Sequence, residues 1–116
     1  MAKNSLLKSF KYAFQGLQFA FSERNFKLHI VSTLLVISLS FYFHITKTEW
    51  ITVIICIGGV LSLEIINTAI EGIVDKVSPE FNQQAGKIKD LSAAAVFVFS
   101  MAALCIGLLI FIPYLF

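Results

Sequence analysis

Residues 64–71 of the chain read Glu-Ile-Ile-Asn-Thr-Ala-Ile-Glu, and they close an apolar run that begins near Trp50. Polar side chains recur here at steps of three or four residues, and the series extends to the next carboxylate: Glu64, Asn67, Glu71 and Asp75. At about 100° per residue these four, which we call the polar stripe, fall within an arc of roughly 80° on one helix face. A charge at membrane depth costs from about 3 to more than ~10 kcal/mol. A stripe that carries this cost repeatedly indicates a functional face.

Length and composition indicate one membrane-embedded domain. The 116 residues allow a single domain, 1–116, and are too few for a large water-soluble catalytic core. The chain is 58% hydrophobic and only 14% charged, with a mean hydropathy of +0.85, and these values predict an all-α integral membrane protein. The net charge of +2 is small, and we expect no nucleic-acid partner. Cys56 and Cys105 lie in apolar runs, which favours buried, reduced thiols that act as small hydrophobes.

The apolar pattern predicts four helices. Residues 5–22 are expected to form an amphipathic helix, because apolar side chains recur at three- and four-residue steps opposite a basic polar face. Such a helix suits the bilayer interface. Three further segments can span the hydrocarbon core, because twenty residues of helix rise about 30 Å. These transmembrane segments are 26–45, 50–74 and 91–111.

Polar connections separate these segments. We expect a hinge over residues 23–29, a tight turn over residues 46–49 and a second polar connection over residues 75–90. Within the last of these, Pro79 is a candidate first residue of a helix. Pro113 is expected to lie beyond the end of the third span.

A glycine pair, Gly58-Gly59, lies in the second span. It fits a close helix crossing better than a phosphate loop. The sequence contains no Gly-x-x-x-x-Gly-Lys-Ser/Thr string, which excludes a Walker-type nucleotide site.

The distribution of basic residues predicts the orientation in the membrane. Of the nine Lys and Arg residues, only Lys47 lies in the connection between the first two spans, and the others lie on the opposite side. The positive-inside rule therefore predicts a multi-pass membrane protein with its N-terminus in the cytoplasm and its C-terminus outside. Glu71 and Asp75 would then lie at the cytoplasmic surface, with Glu64 about 10 Å deeper along the helix axis.

The residue chemistry of the polar stripe suits two kinds of function. Carboxylates with access to water form a hard-oxygen site that suits Mg²⁺ when phosphate oxygens complete the shell, and a deeper carboxylate can take a proton from a lipid hydroxyl. The same stripe suits a proton- or ion-coupled transport subunit. Residue chemistry alone leaves these two alternatives equal. A structural role in holding an oligomer together is weaker, since polar pairs in membranes contribute only about 1 kcal/mol.

The polar stripe and the segments around it closely resemble the signature of the small bacterial diacylglycerol kinase family. The matching positions are Glu64-x-x-Asn67-Thr68-Ala69-Ile70-Glu71-x-x-x-Asp75, Lys89-Asp90-x-x-Ala93-Ala94 and Glu23-Arg24-Asn25-Phe26. The resemblance covers nearly the whole chain. It implies a homotrimer of three-span subunits, each preceded by a surface helix, that phosphorylates a lipid alcohol with MgATP. It also implies active sites that are built from more than one subunit, and a location in the bacterial cytoplasmic (inner) membrane.

The resemblance implies a role for each matching polar residue. Glu64 would be the general base, and Asn67 would help to position the substrate or the base. The remaining positions would serve Mg²⁺ and ATP: Glu23 and Glu71 would hold the metal ion, Lys89 would contact the nucleotide phosphates, and Asp75 and Asp90 would support the nucleotide site.

Other positions bear on which lipid is phosphorylated. The Glu-Arg-Asn-Phe hinge, Ile57-Gly58-Gly59 and residues 106–113 look more like the undecaprenol kinase branch of the family than the diacylglycerol branch. Ala93 stands where the diacylglycerol branch can carry a serine. The resemblance therefore implies undecaprenol as the substrate and undecaprenyl phosphate as the product. Diacylglycerol, which would give phosphatidic acid, is the alternative.

Overall fold

The computed structural model describes residues 2–80 and 82–116, with residues 2–4 described by their backbone alone. Within these residues the chain forms four α-helices: α1 (Ala2–Phe21), α2 (Arg24–Tyr42), α3 (Lys47–Val77) and α4 (Gln83–Leu115). The last three are each long and apolar enough to cross a membrane. The prediction of an all-helical chain with three membrane-length apolar helices is therefore confirmed. The bounds differ most for α4, which begins well before the expected residue 91.

Helix α3 lies between its two neighbours, packing against α2 and more extensively against α4. The outward faces of these helices carry exposed apolar side chains such as Leu34, Ile54 and Val98, a surface suited to lipid chains. Cys56 is half-buried and Cys105 is exposed. The predicted burial of both thiols is therefore wrong, because position 105 of α4 points away from its half-buried neighbours.

A Schellman turn ends α2. His44 has a φ of 51°, in the left-handed region where a side chain other than glycine is unfavourable. The N–H groups of His44 and Ile45 donate to the carbonyls of Phe41 and Ser40, each at 3.3 Å. These bonds satisfy carbonyl groups at the end of the helix, and they direct the chain inward, where Ile45 is buried.

A capping box begins α3. The Thr46 hydroxyl accepts a hydrogen bond from the Glu49 N–H at 3.2 Å, and the Glu49 carboxylate accepts one from the Thr46 N–H at 2.9 Å. These reciprocal bonds satisfy N–H groups that the first turn of a helix would otherwise leave without partners. The predicted tight turn over residues 46–49 is therefore wrong, because residues 47–49 already belong to α3.

The second connection, between the end of α3 at Val77 and the start of α4 at Gln83, is shorter than predicted. The Asn82 side chain caps α4 by accepting hydrogen bonds from the N–H groups of Gln84 (2.8 Å) and Ala85 (3.2 Å). Because this cap starts the helix, Pro79 does not open it. Half of the expected polar connection, residues 83–90, therefore belongs to the first turns of α4, and residues 75–77 belong to α3.

Pro113 lies inside α4, not beyond its end as predicted. Proline has no N–H to donate to the carbonyl four residues earlier, which removes one hydrogen bond from the helix. The helical pattern nevertheless continues, since the Phe116 N–H donates to the Ile112 carbonyl at 3.3 Å. Losing a single bond so close to the terminus does not end the helix.

The polar hinge before α2 is confined to Ser22 and Glu23. Glu23 is the N-cap residue of α2, and the expected hinge residues after it are helical. Across the bend, the rings of Phe21 and Phe26 pack edge to face with their centroids 5.1 Å apart, and Phe26 is buried. Helix α1 therefore joins the bundle through an aromatic contact, while its place in the bilayer interface stays a prediction.

The end of the bundle away from the polar stripe is closed by an apolar cluster. Three residues are buried together here: Ile45 of the α2–α3 connection, Val53 of α3 and Ile110 of α4. Beside them the Tyr114 hydroxyl donates to the Glu49 carboxylate. These contacts hold the start of α3 against the end of α4.

Gly59 marks a close approach between α3 and α4. A Cβ atom added at this position would overlap the ring of Phe99. At the neighbouring Gly58 an added Cβ would meet no atom within 4 Å. One glycine of the pair thus allows the helix crossing that the sequence predicts, since small residues let membrane helices gain van der Waals contact.

We predict opposite effects of the same substitution at these two glycines. Gly59→Ala should lower the free energy of unfolding by about 1–3 kcal/mol, because the methyl group displaces the Phe99 ring. Gly58→Ala should raise it by about 0.5–1 kcal/mol, because alanine is the better helix former and the space is open. Thermal unfolding of both variants in detergent micelles measures the difference. Equal unfolding midpoints would contradict a stabilising contact at Gly59.

Candidate active site

Glu64 lies on the inner face of α3, and its side chain is only 5% exposed. His29 of α2 faces it, with Nε2 lying 3.6 Å from a carboxylate oxygen of Glu64. This separation is too long for a hydrogen bond. In apolar surroundings, however, a polar group at this range interacts strongly with a carboxylate, because the local dielectric is low. Helix α2 thus supplies an electrostatic neighbour for the buried acid.

Asn67, one turn along α3, is also buried, and both ends of its amide have partners. Its Nδ2 donates to a carboxylate oxygen of Glu71 at 2.8 Å, and its Oδ1 accepts from the hydroxyl of Ser92 on α4. A carboxylate only accepts hydrogen bonds and the amide nitrogen only donates them, so this arrangement defines which way the amide points. Asn67 is therefore held between two helices in one orientation.

Lys89 and Asp75 form an ion pair near the start of α4 and the end of α3. Lys89 Nζ lies 2.8 Å from Asp75 Oδ1, and the two side chains are 35% and 63% exposed. An exposed pair of this kind contributes only about 0–1 kcal/mol of stability. Its main consequence is to hold the ammonium group close to the polar stripe. Ser92, one turn further along α4, has its Oγ 3.3 Å from the Lys89 carbonyl oxygen and donates its hydroxyl hydrogen to Asn67.

Glu64 and Asn67 line a cavity of about 390 Å³ between α2, α3 and α4. Asn25 and Ser32 of α2 add polar groups to its wall, and Ala93 of α4 adds an apolar one. Ligand sites in proteins typically measure about 300–1,000 Å³ and combine apolar walls with a few polar groups. A hydroxyl group of a ligand in this cavity would lie beside both Glu64 and Asn67.

The structure brings most of the predicted site residues together and leaves two apart. The grouped residues are Glu64 and Asn67 in the cavity, Glu71 against Asn67, and Asp75 with Lys89. Glu23 and Asp90 are exposed. Within the part of the chain that the structure describes, neither side chain hydrogen-bonds to the grouped residues.

Two residues of the site, His29 and Ser92, were not predicted from the sequence. Ala93 lines the cavity, but the hydroxyl that reaches Asn67 comes from Ser92, one position earlier. The spacing offered a signal, because Ser92 lies three residues after Lys89 and therefore on the same helix face. His29 also offered one, because an ionisable residue in a spanning helix commonly faces the bundle interior.

The carboxylates of the site are candidate ligands for a metal ion. Among the residues that the structure describes, no three His, Cys, Asp or Glu side chains converge on a point that could hold a metal ion. Mg²⁺ does not require such a group, since it is usually held by one or two carboxylates together with substrate phosphates and water. Glu71 is half-buried beside Asn67, and Glu23 is exposed at the start of α2. Glu71 alone among these carboxylates lies within the grouped residues, and one carboxylate suffices for an Mg²⁺ ion that is shared with a phosphate.

A family comparison matches almost the whole helical bundle. Residues 11–111 match the family described as prokaryotic diacylglycerol kinase, a range that includes the cavity, the polar stripe and the Lys89–Asp75 pair. The chain belongs to this family. The resemblance inferred from the polar stripe is thereby confirmed, and the family is one of lipid kinases.

The relatives of this chain are named for two different lipid substrates. The undecaprenol kinase of Bacillus subtilis is 40% identical over 113 residues, which cover 97% of this chain and 92% of the relative. The diacylglycerol kinase of Haemophilus influenzae is 37% identical over 102 residues, covering 87% and 83%. The diacylglycerol kinase of Escherichia coli K12 is 29% identical over 94 residues, covering 80% and 77%.

We predict that Ser92→Ala lowers kcat/KM for phosphate transfer to a lipid alcohol by about tenfold. This factor corresponds to the free energy of one lost hydrogen bond to a site residue. The reason is that the Asn67 amide loses the partner that holds its oxygen. Ser92→Thr keeps the hydroxyl and should retain most of the activity.

The matched control is Ser38→Ala on α2, where the exposed hydroxyl donates only to the Leu34 carbonyl at 2.8 Å. Its activity should stay within about twofold of wild type, as expected for a surface change. Equal activities of the two alanine variants would contradict a positioning role for Ser92.

Proposed function

We propose that this family member transfers the γ-phosphate of ATP, with Mg²⁺, to the hydroxyl of a membrane lipid alcohol. Undecaprenol is the proposed substrate, and diacylglycerol is the second candidate. The observation that carries this proposal is the order of groups on α3. A buried carboxylate, Glu64, faces a cavity, while Glu71 and Asp75 lie progressively nearer the exposed end of the same helix face. A lipid acceptor and a water-soluble donor can therefore approach the polar stripe from opposite ends.

Glu64 is the proposed general base. As the lipid hydroxyl oxygen attacks the γ-phosphorus of ATP, its proton moves to the Glu64 carboxylate. The new bond joins the lipid oxygen to phosphorus, the bond from phosphorus to the β-phosphate oxygen breaks, and ADP leaves with that electron pair. His29 lies 3.6 Å from the carboxylate and steadies its charge. Asn67, held by Ser92 and Glu71, positions the base or the hydroxyl.

The nucleotide end of the site is proposed to consist of charged residues near the end of α3 and the start of α4. Lys89 contacts the phosphates of ATP, since an ammonium group can stabilise the charge that develops during phosphoryl transfer. Asp75 holds Lys89 in place, and Asp90 supports the nucleotide. Glu71 and Glu23 are the carboxylates that would hold Mg²⁺. When bound, that ion neutralises negative charge on the phosphates.

Undecaprenol is preferred over diacylglycerol for two reasons. The undecaprenol kinase of Bacillus subtilis shares 40% identity with the chain across 97% of its length. The hinge beginning at Glu23 and the segment 106–113 resemble the same branch of the family. The identity to a diacylglycerol kinase, 37% over 87% of the chain, is close enough to keep the second lipid as the alternative acceptor.

The proposed setting is the bacterial cytoplasmic membrane, with the N-terminus and the nucleotide end of the site in the cytoplasm. The basic residues on that side support this orientation. Helix α1 would lie in the interface. The proposed assembly is a homotrimer with shared active sites, in which a neighbouring copy lies close to the exposed Glu23 and Asp90.

A phosphate-transfer assay in mixed micelles tests this function. Purified protein supplied with ATP labelled in the γ-phosphate and with Mg²⁺ should label undecaprenol more rapidly than diacylglycerol, and exhaustive chelation should stop both reactions. Glu64→Gln should lower the rate by at least about a hundredfold, because general bases typically contribute factors of 10²–10⁴.

The control for this substitution is Glu80→Gln, which removes an exposed carboxylate from the connection before α4 and should leave the rate unchanged. Both variants should elute with wild type from a sizing column. Failure of the wild-type protein to label either lipid would contradict the kinase function. Full activity of Glu64→Gln would remove Glu64 from its role as base.

A further inference from the structure

Glu64 has to lose a proton between turnovers. In the proposed reaction each phosphate transfer leaves the proton of the lipid hydroxyl on its carboxylate, and a protonated carboxylate cannot act as a base again. The Glu64 side chain is only 5% exposed, so water has little direct access to it. A second group that accepts this proton and is itself closer to water would restore the base.

The polar groups on the α4 side of the cavity cannot accept the proton. The Asn67 amide is fully engaged, since its nitrogen donates to Glu71 and its oxygen accepts from the Ser92 hydroxyl. Neither a side-chain amide nor a serine hydroxyl titrates near neutral pH. The proton therefore has to leave Glu64 toward α2.

His29 of α2 is the one other titratable side chain in the wall of the Glu64 cavity, among the residues that the structure describes. The remaining lining residues from α2, α3 and α4 carry no charge and do not titrate. The adjoining apolar cavity, which His29 also lines, adds only the thiol of Cys56. An ordinary thiol already carries its proton at neutral pH. His29 is therefore the available proton acceptor.

The imidazole of His29 is placed to receive the proton. Its Nε2 lies 3.6 Å from a carboxylate oxygen of Glu64, and a movement of less than about 1 Å brings the two atoms to hydrogen-bond distance. A protonated carboxyl group donates a hydrogen bond, and the nitrogen of a neutral imidazole that lacks a hydrogen accepts one. The second ring nitrogen, Nδ1, can then release a proton elsewhere, because imidazole exchanges protons close to neutral pH.

Exposure to water increases along α2 from His29 toward the start of the helix. The His29 side chain is 27% exposed, against 5% for Glu64. Asn25, one turn or about 6 Å nearer the start of α2, lines the same cavity and is exposed. In the predicted orientation this end of α2 faces the cytoplasm. The wall of the cavity thus leads from the buried carboxylate through His29 to water.

We propose that His29 accepts the proton from Glu64 after each phosphate transfer and releases it to water at the start of α2. This inference rests on the proposed function and adds how its base is restored. Glu64 donates its O–H proton to Nε2 and becomes a carboxylate again, while the imidazole becomes positively charged. Nδ1 then loses its proton to water, which leaves a neutral ring. Proton exchange with water restores the first tautomer before the next turnover.

Single-turnover and steady-state rates test this relay in mixed micelles that contain undecaprenol and Mg²⁺. With the protein in excess over ATP labelled in the γ-phosphate, each site reacts at most once and Glu64 starts as a carboxylate. His29→Gln keeps a polar side chain but cannot relay a proton. Its single-turnover rate should stay within about threefold of wild type, whereas kcat should fall at least about tenfold, because only later turnovers need a restored base.

The control is the second histidine of the chain, His44, which is exposed after α2. Asparagine tolerates the left-handed backbone at this position, so His44→Asn should leave both rates at the wild-type values. For His29→Gln, an equal fall of both rates would contradict the relay and leave His29 only its electrostatic role. An unchanged kcat would contradict the relay as well. Absence of product from wild type in either regime would instead contradict the proposed function.

A second measurement replaces the missing side chain by a soluble base. Imidazole added at constant pH should raise kcat of His29→Gln and leave its single-turnover rate unchanged, since it can accept the proton of Glu64 through the exposed end of the cavity. The cavity volume of about 390 Å³ admits a molecule of this size. Wild type should show no increase. An unchanged kcat of His29→Gln in imidazole, or an equal rise of its two rates, would contradict the relay.

Discussion

Two buried polar side chains on α3 constrain the packing of the whole bundle. Glu64 is 4% exposed and Asn67 is 5% exposed, although their neighbours are almost all apolar. A buried polar group without a partner costs about 1–3 kcal/mol, and a charged one costs more. Helix α4 gives Asn67 a partner through Ser92, and α2 places His29 3.6 Å from Glu64 as its electrostatic neighbour. These two contacts, together with the close approach at Gly59, define how α2 and α4 align against α3.

The exposure of the polar side chains decreases in order along α3, from its C-terminal end inwards. Asp75 is exposed, Glu71 is half-buried, and Asn67 and Glu64 are buried. The residues beyond Glu64 on the same face of α3 line an apolar cavity. Lys89 stands at the exposed end and Ser92 in the middle, so α4 follows the same order. A phosphate donor dissolved in water and an acceptor dissolved in lipid can each reach their own end of this series. Burying a carboxylate costs free energy. The reaction that we propose explains why the polar stripe nevertheless contains one.

The helical period explains why the sequence alone predicted so much of this site. Residues at steps of three and four must share a face, so the stripe and its depth follow from the spacing of Glu64, Asn67, Glu71 and Asp75. The membrane-length helices follow equally well from apolar composition. The family resemblance identified Lys89 as well, although its ion pair with Asp75 became visible only in the structure.

Other features depended on interactions that composition does not reveal. The starts of α3 and α4 are defined by side-chain caps from Thr46 and Asn82, which make helices of segments that look like polar connections. The contributions of His29 and Ser92 depend on which faces of α2 and α4 meet α3. That choice is made by tertiary packing, and nothing in the local pattern of either helix determines it.

The central claim is that Glu64 is buried for catalysis and not for stability. The direct measurement is thermal unfolding, in detergent, of a double variant in which Glu64→Leu and His29→Leu replace the polar pair by apolar side chains. Burying a carboxylate is costly, so well-packed apolar side chains at both positions should not lower stability. Our account therefore predicts an unfolding midpoint equal to or above that of wild type, with no phosphorylation of lipid. A lower midpoint, or retained phosphorylation, would contradict it.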